Sequence, residues 1–143
     1  MPIDDHPPQP ATEKPAHWWQ LTPKHSLIMA VLFFVVMVLV GTIPGYAKAL
    51  SDATDDKLLH FCAYGVMSWL IFNGVRGVML SRALRTLLLL AALGALDETI
   101  QSFIPYRTAS VLDWYADMLA GLICVTVLVL HTLVRIVAAK NAG

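Results

Sequence analysis

Asp97-Glu98-Thr99-Ile100-Gln101-Ser102-Phe103-Ile104-Pro105-Tyr106-Arg107-Thr108-Ala109-Ser110-Val111-Leu112-Asp113-Trp114-Tyr115-Ala116-Asp117 is the stretch on which the fold turns. It holds four carboxylates, an arginine and a proline between two strongly apolar runs, Leu87 to Leu96 and Met118 to Val134. Neither run alone can cross a bilayer, because a spanning helix needs about 20 residues at about 1.5 Å each. Each run has to borrow residues from the polar stretch. Ionisable groups are thereby drawn to membrane depth, where they are costly and by default functional.

The whole chain agrees with that reading. Of its 143 residues, 57% are hydrophobic and only 14% charged, against about 25% charged in a soluble domain. The chain reads as an integral membrane protein, all-α, with one small helical unit. It has no internal repeat, no glycine-rich phosphate loop and no nucleic-acid motif, so nucleic acid is not an expected partner. Cys62 and Cys124 each sit inside an apolar run and lack metal-type spacing. They read as buried thiols, and neither a metal nor another cofactor is expected.

Outward from the central stretch, the apolar runs number four. The pattern predicts helices over Leu27 to Ile43, Leu58 to about Val75, Leu84 to Ile104 and Val111 to about Val137. The result is a four-transmembrane-helix bundle over residues 26–137. Residues 1–25 form a proline-rich leader, predicted to be disordered, that ends near a Trp18-Trp19 interfacial anchor. Residues 138–143 are a short tail. Ala47-Lys48-Ala49 loosely matches a signal-peptide cleavage site, but the long polar leader and Lys48 itself argue against cleavage. An acidic connector with Asp52, Asp55 and Asp56 follows the first helix, and a basic one with Arg76, Arg82 and Arg85 follows the second. Seven of the ten Lys and Arg residues fall on the side of the two termini, leaving Lys48, Lys57 and Arg107 on the other. Both termini are therefore expected in the cytoplasm.

This topology gathers the unusual polar residues on the outer side. Lys57, His60 and Tyr64 share one face of the second helix, next to Asp56. Asp97 and Gln101 share a face of the third, with Glu98 beside them, at a depth expected near the bilayer middle. Arg107, Ser110, Asp113 and Asp117 follow, and Gly121 continues the face of Asp113 and Asp117. Structural readings compete for several of these. Ser110 and Asp113 match a capping box, Asp56 can cap its helix, Lys57 can snorkel, and His60 can bond to backbone. Trp69, Trp114 and the methionines read as packing residues. Asp97, Glu98 and Asp117 resist such accounts. Six acids, Asp55 included, face only Lys57 and Arg107. Some of the carboxylates must be protonated, hydrated or neutralised by a cation, with protonation and internal pairing the preferred answer. Arg107 and two helix N-termini add an anion-attracting feature.

Asp56-Lys57-x-x-His60-x-x-x-Tyr64, followed by Asp97-Glu98-x-x-Gln101-x-Phe103-x-Pro105-x-Arg107-Thr108-Ala109-Ser110-x-x-Asp113-x-x-x-Asp117-x-x-x-Gly121, resembles the VanZ-like family over roughly Thr54 to Val137. Tyr106 stands where that pattern usually has Gly, and Asp117 where it usually has Asn. The resemblance implies a bacterial inner-membrane protein, related to members associated with low-level resistance to glycopeptide antibiotics, teicoplanin in particular. Three functions compete. The first is a non-enzymatic protein of cell-envelope homeostasis or antibiotic tolerance that binds a membrane lipid or lipid-linked envelope precursor from the periplasmic side. The second is an intramembrane hydrolase or transferase on a lipid-linked phosphate, with His60 or Glu98 as acid/base and Arg107 on phosphate. The third is a cation- or proton-coupled transporter, for which a homo-oligomer is the expected partner state.

Overall fold

Four helices make up the computed structural model, which describes residues 22–45 and 56–142, with the side chains of Asp56 and Lys57 outside that description. They are α1 (Pro23–Gly41), α2 (Asp56–Gly74), α3 (Met79–Ser102) and α4 (Val111–Asn141), and no strand occurs among the described residues. Residues 1–21 and 46–55, with the proline-rich leader, the tryptophan pair, Lys48, Asp52 and Asp55, lie outside the described residues. α1, α3 and α4 are each long and apolar enough to cross a membrane. The chain is therefore a helical membrane protein, as its composition implies. α2 contributes a shorter apolar stretch, Leu58–Gly74.

The helix ends follow local chemistry. α1 starts four residues before the expected Leu27, because Thr22 caps it through the His25 N–H and Pro23 fits the first turn. Gly77, at φ +127°, turns the chain sharply between α2 and α3. That turn is short, so Arg82 and Arg85 belong to α3 and not to a basic connector. Both still hold the turn: Arg82 Nη2 donates to the Phe72 carbonyl at 2.8 Å, and Arg85 Nη1 to the Arg76 carbonyl at 3.1 Å. The early start also moves Asp97. α3 is about 36 Å long and Asp97 lies about 8 Å from its end, nearer the connector than the middle of the helix. α4 runs on past Val137 to Asn141.

α2 is the hub: it packs against α1, α3 and α4, and α3 also packs on α4. Successive helices run antiparallel. Gly74 at the end of α2 meets Leu27 at the start of α1, and Tyr106 in the α3–α4 connector donates its hydroxyl to the Thr42 carbonyl at the end of α1. The bundle thus has a connector end, with Ile43, His60 and residues 103–110, and an opposite end with Pro23, Gly77 and Asn141.

Lipid is as apolar as leucine, so these helices gain little by hiding Leu or Val from it and associate through close packing instead. The buried residues accordingly form narrow stripes: Ser26, Ala30 and Phe34 on α1, and Thr86, Leu90, Gly94, Asp97 and Gln101 on α3. Outside that stripe Phe33, Met37 and Val38 pack partly against the core, and the other large apolar side chains of α1, such as Ile28, Val31 and Val36, are exposed to the surroundings. Two glycines set the approach of α3 and α4. A Cβ on Gly94 would lie 2.8 Å from Trp114 Cδ1, and one on Gly121 would lie 2.8 Å from Leu90 Cδ1. Along α2 the buried face changes character, from His60 and Tyr64 at the connector end to Leu70, Ile71 and Phe72 at the other.

Candidate functional site

The buried polar residues of the connector half come from three helices. α2 brings His60 and Tyr64, α3 brings Asp97 and Gln101 with the half-buried Glu98 beside them, and α4 brings Asp117. Each follows from a spacing visible in the chain. Residues 60 and 64, 97 and 101, and 117 and 121 are i, i+4 pairs, so each pair shares a face. The three faces converge because Gly94 and Gly121 let α3 and α4 draw close.

Asp117 is fully buried, and its Oδ1 lies 3.3 Å from His60 Nδ1. The rings of His60 and Tyr64 are parallel, with centroids 6.3 Å apart. Tyr64 is likewise fully buried, and its hydroxyl has no hydrogen-bond partner among the described residues. It lies within electrostatic reach of Asp117, Asp97 and Glu98. On α3, Asp97 Oδ2 accepts from Gln101 Nε2 at 3.0 Å, and Gln101 Oε1 accepts from Arg107 Nη2 at 3.1 Å. A polar chain thus runs from the arginine in the connector to a buried carboxylate.

Glu98 does something the sequence did not foretell. Its Oε2 accepts the backbone N–H of Ser110 at 2.6 Å. Ser110 is the N-cap of α4, yet its own side chain makes no capping bond. The capping box expected from Ser110 and Asp113 does not form. A carboxylate from the neighbouring helix takes the part that the acid at the fourth position of the box usually plays, and it sits where the helix dipole favours negative charge. The other carboxylate oxygen, Oε1, is buried without a hydrogen-bond partner among the described residues.

Beside this carboxylate lies a cavity of about 280 Å³, lined by Ala95, Glu98, Ala109, Ser110, Val111 and Trp114. Trp114 is fixed in its wall. Its indole N–H donates to the Ala91 carbonyl at 3.1 Å, and its ring packs over Gly94. That packing role agrees with the sequence reading of Trp114; the partner Gly94 was missed, although it lies three residues before Asp97 and seven before Gln101, on the same face.

Of the expected site residues, the structure brings together His60, Tyr64, Asp97, Glu98, Gln101, Arg107, Ser110 and Asp117. Asp113 is half-buried and within electrostatic reach of both Glu98 and Asp117. Nothing is described of the Asp56 and Lys57 side chains. Among the described residues four acids here face one fixed cation, Arg107, and no group of three or more His, Cys, Asp or Glu is arranged to hold a metal ion. The arrangement can do two things. Its carboxylates and Arg107 can grip a group carrying both charges, and the His60–Asp117 pair can hold or pass a proton.

Residues 9–134 match the family model described as VanZ/LLP1. A relative is an uncharacterized protein of the fission yeast Schizosaccharomyces pombe, 33% identical over 88 residues, which is 60% of this chain and 54% of the relative. The match thus spans about half the length of that relative. No solved structure matches the chain.

Proposed function

The chain belongs to the VanZ/LLP1 family, and on that premise we propose that it is a non-enzymatic membrane protein of cell-envelope homeostasis that binds the headgroup of an envelope lipid or lipid-linked precursor. The site is the polar pocket at the connector end, facing the periplasm of a bacterial inner membrane, with both termini cytoplasmic. Tolerance of glycopeptide-type antibiotics would be a consequence of that binding. One observation carries the reading: a buried Glu98 oxygen without a hydrogen-bond partner among the described residues lines a cavity with apolar walls, in the polar cluster that also holds Arg107 and the fully buried Tyr64 hydroxyl. Buried polar groups are stable only when something satisfies them. A zwitterionic headgroup supplies a cation for the acids and a phosphate for Arg107, while its chain lies along Val111 and Trp114. A yeast relative fits a lipid better than an antibiotic as the shared ligand.

Native mass spectrometry of the gently extracted chain tests this. A lipid should co-purify, and Arg107→Gln should release it. A chain that carries no bound lipid, or one whose lipid is indifferent to Arg107→Gln, defeats the reading. The His60–Asp117 pair at 3.3 Å favours a second reading, a hydrolase or transferase on a lipid-linked phosphate with His60 as acid/base. Turnover of such a lipid, lost in His60→Gln while binding persists, would establish it instead.

A further inference from the structure

The charges of the described chain are divided end from end. Asp97, Glu98, Asp113 and Asp117 all lie toward the connector end. Lys24, Arg76, Arg82, Arg85, Arg135 and Lys140, every described Lys or Arg side chain except Arg107, lie toward the other. At that other end a groove of about 560 Å³ opens between the end of α2, the start of α3 and the last turns of α4. Trp69, Leu128 and Ile136 give it apolar walls, and Arg82, His131 and Arg135 give it donors.

Arg82 is held in place there. Its Nη2 is bonded to the Phe72 carbonyl, and its guanidinium carbon lies 4.3 Å above the Phe72 ring centroid. Its Nε is buried with no hydrogen-bond partner among the described residues. Fixing the guanidinium in advance removes much of the entropy cost of gripping an anion. No described carboxylate lies at this end, and an anion from outside the chain can supply the counter-charge. At the end of membrane-spanning helices the available anion is a lipid phosphate.

We propose that this groove binds the headgroup of an anionic phospholipid, with Arg82 and Arg135 on the phosphate and an acyl chain along Leu128 and Ile136. The site is separate from the pocket at the connector end and does not rest on it. A net-negative headgroup is favoured over a zwitterionic one because no acid among the described residues offsets the two arginines.

The full chain, reconstituted in nanodiscs of phosphatidylcholine with a minority of phosphatidylglycerol, is released for native mass spectrometry. Phosphatidylglycerol should be retained above its bulk share. Arg135→Gln, an exposed change on α4 that leaves the packing alone, should cut that retention about fivefold, the expected worth of one charge at a lipid surface. Arg135→Lys should keep most of it, and Lys24→Gln, an exposed change on α1 outside the groove, should leave it unchanged. Retention at the bulk ratio, or indifference to Arg135→Gln, overturns the proposal. Loss in Arg107→Gln places the lipid at the connector end and overturns it too. Displacement by millimolar inorganic phosphate would mark a soluble-anion site and overturn the lipid assignment.

Discussion

Gly94→Ala tests the packing that assembles the polar cluster. The new Cβ would fall 2.8 Å from Trp114 Cδ1, 3.2 Å from Nε1 and 3.6 Å from Tyr64 Cε1. The indole is hemmed in and bonded to the Ala91 carbonyl, so it cannot give way freely. Overpacking of this kind costs about 1 to 3 kcal/mol, and a lost indole hydrogen bond adds about 1 kcal/mol. Higher helix propensity returns up to about 1 kcal/mol. The net is a destabilisation of roughly 1 to 3 kcal/mol. Gly65→Ala is the matched control, since a Cβ there meets nothing within 4 Å and only the propensity gain remains. The two variants should separate by about 2 to 4 kcal/mol. Thermal unfolding in one detergent, followed by near-ultraviolet dichroism, reads the difference. Adding Trp114→Ala to Gly94→Ala should reveal a coupling of at least about 1 kcal/mol. If Gly94→Ala melts with Gly65→Ala, the α3–α4 approach at the indole does not exist and the site assembled from it fails as well.

Glu98→Ala should fray the start of α4, losing about 1.5 to 3 kcal/mol locally, while Glu98→Gln keeps an acceptor and most of the order; unchanged amide exchange at residues 110–113 in Glu98→Ala would refute the inter-helix cap. Asp117→Ala removes a buried carboxylate from beside His60 and should cost about 3 kcal/mol. Asp117→Asn, the residue usual in the VanZ-like pattern, should cost clearly less; equal losses in chemical denaturation would show that charge, and not shape, holds the pair. Cysteine labelling at Thr108 and at Arg76 should show opposite accessibility, with Thr108 reached from outside the cell, and outside labelling at Arg76 would reverse the proposed orientation.

Much of the bundle was legible because lipid exposure writes itself into long apolar runs. Three helix starts were placed late for local reasons. Thr22 and Pro23 open α1 before its apolar run begins, the first turn of α2 includes Asp56 and Lys57, and Gly77 makes the α2–α3 turn so short that Arg82 and Arg85 become helical. The polar convergence was readable from i, i+4 spacing and antiparallel order. Its pairings were not. Which acid meets His60 depends on the crossing of α2 and α4, and that is set by Gly121 against Ser68 and Leu90. The Glu98–Ser110 bond spans a connector whose path no local pattern fixes. The groove at the other end was hidden because Arg82 read as a connector charge, with nothing in the sequence to bring it against His131 and Arg135 on α4.

α4 is 31 residues long and α2 is 19. In length that is about 46 Å beside about 28 Å, around a hydrocarbon layer of about 30 Å. A membrane enclosing this protein meets helices of different length on different flanks, the longer one carrying Asp113, Arg135 and Lys140 toward its ends. Lipids are expected to thin along the α2 side and to thicken, or force a tilt, along α4. The molecule should then partition by bilayer thickness. Its distribution between vesicles of graded chain length would show this, and a flat distribution would mean that the last turns of α4 lie in the headgroup layer instead.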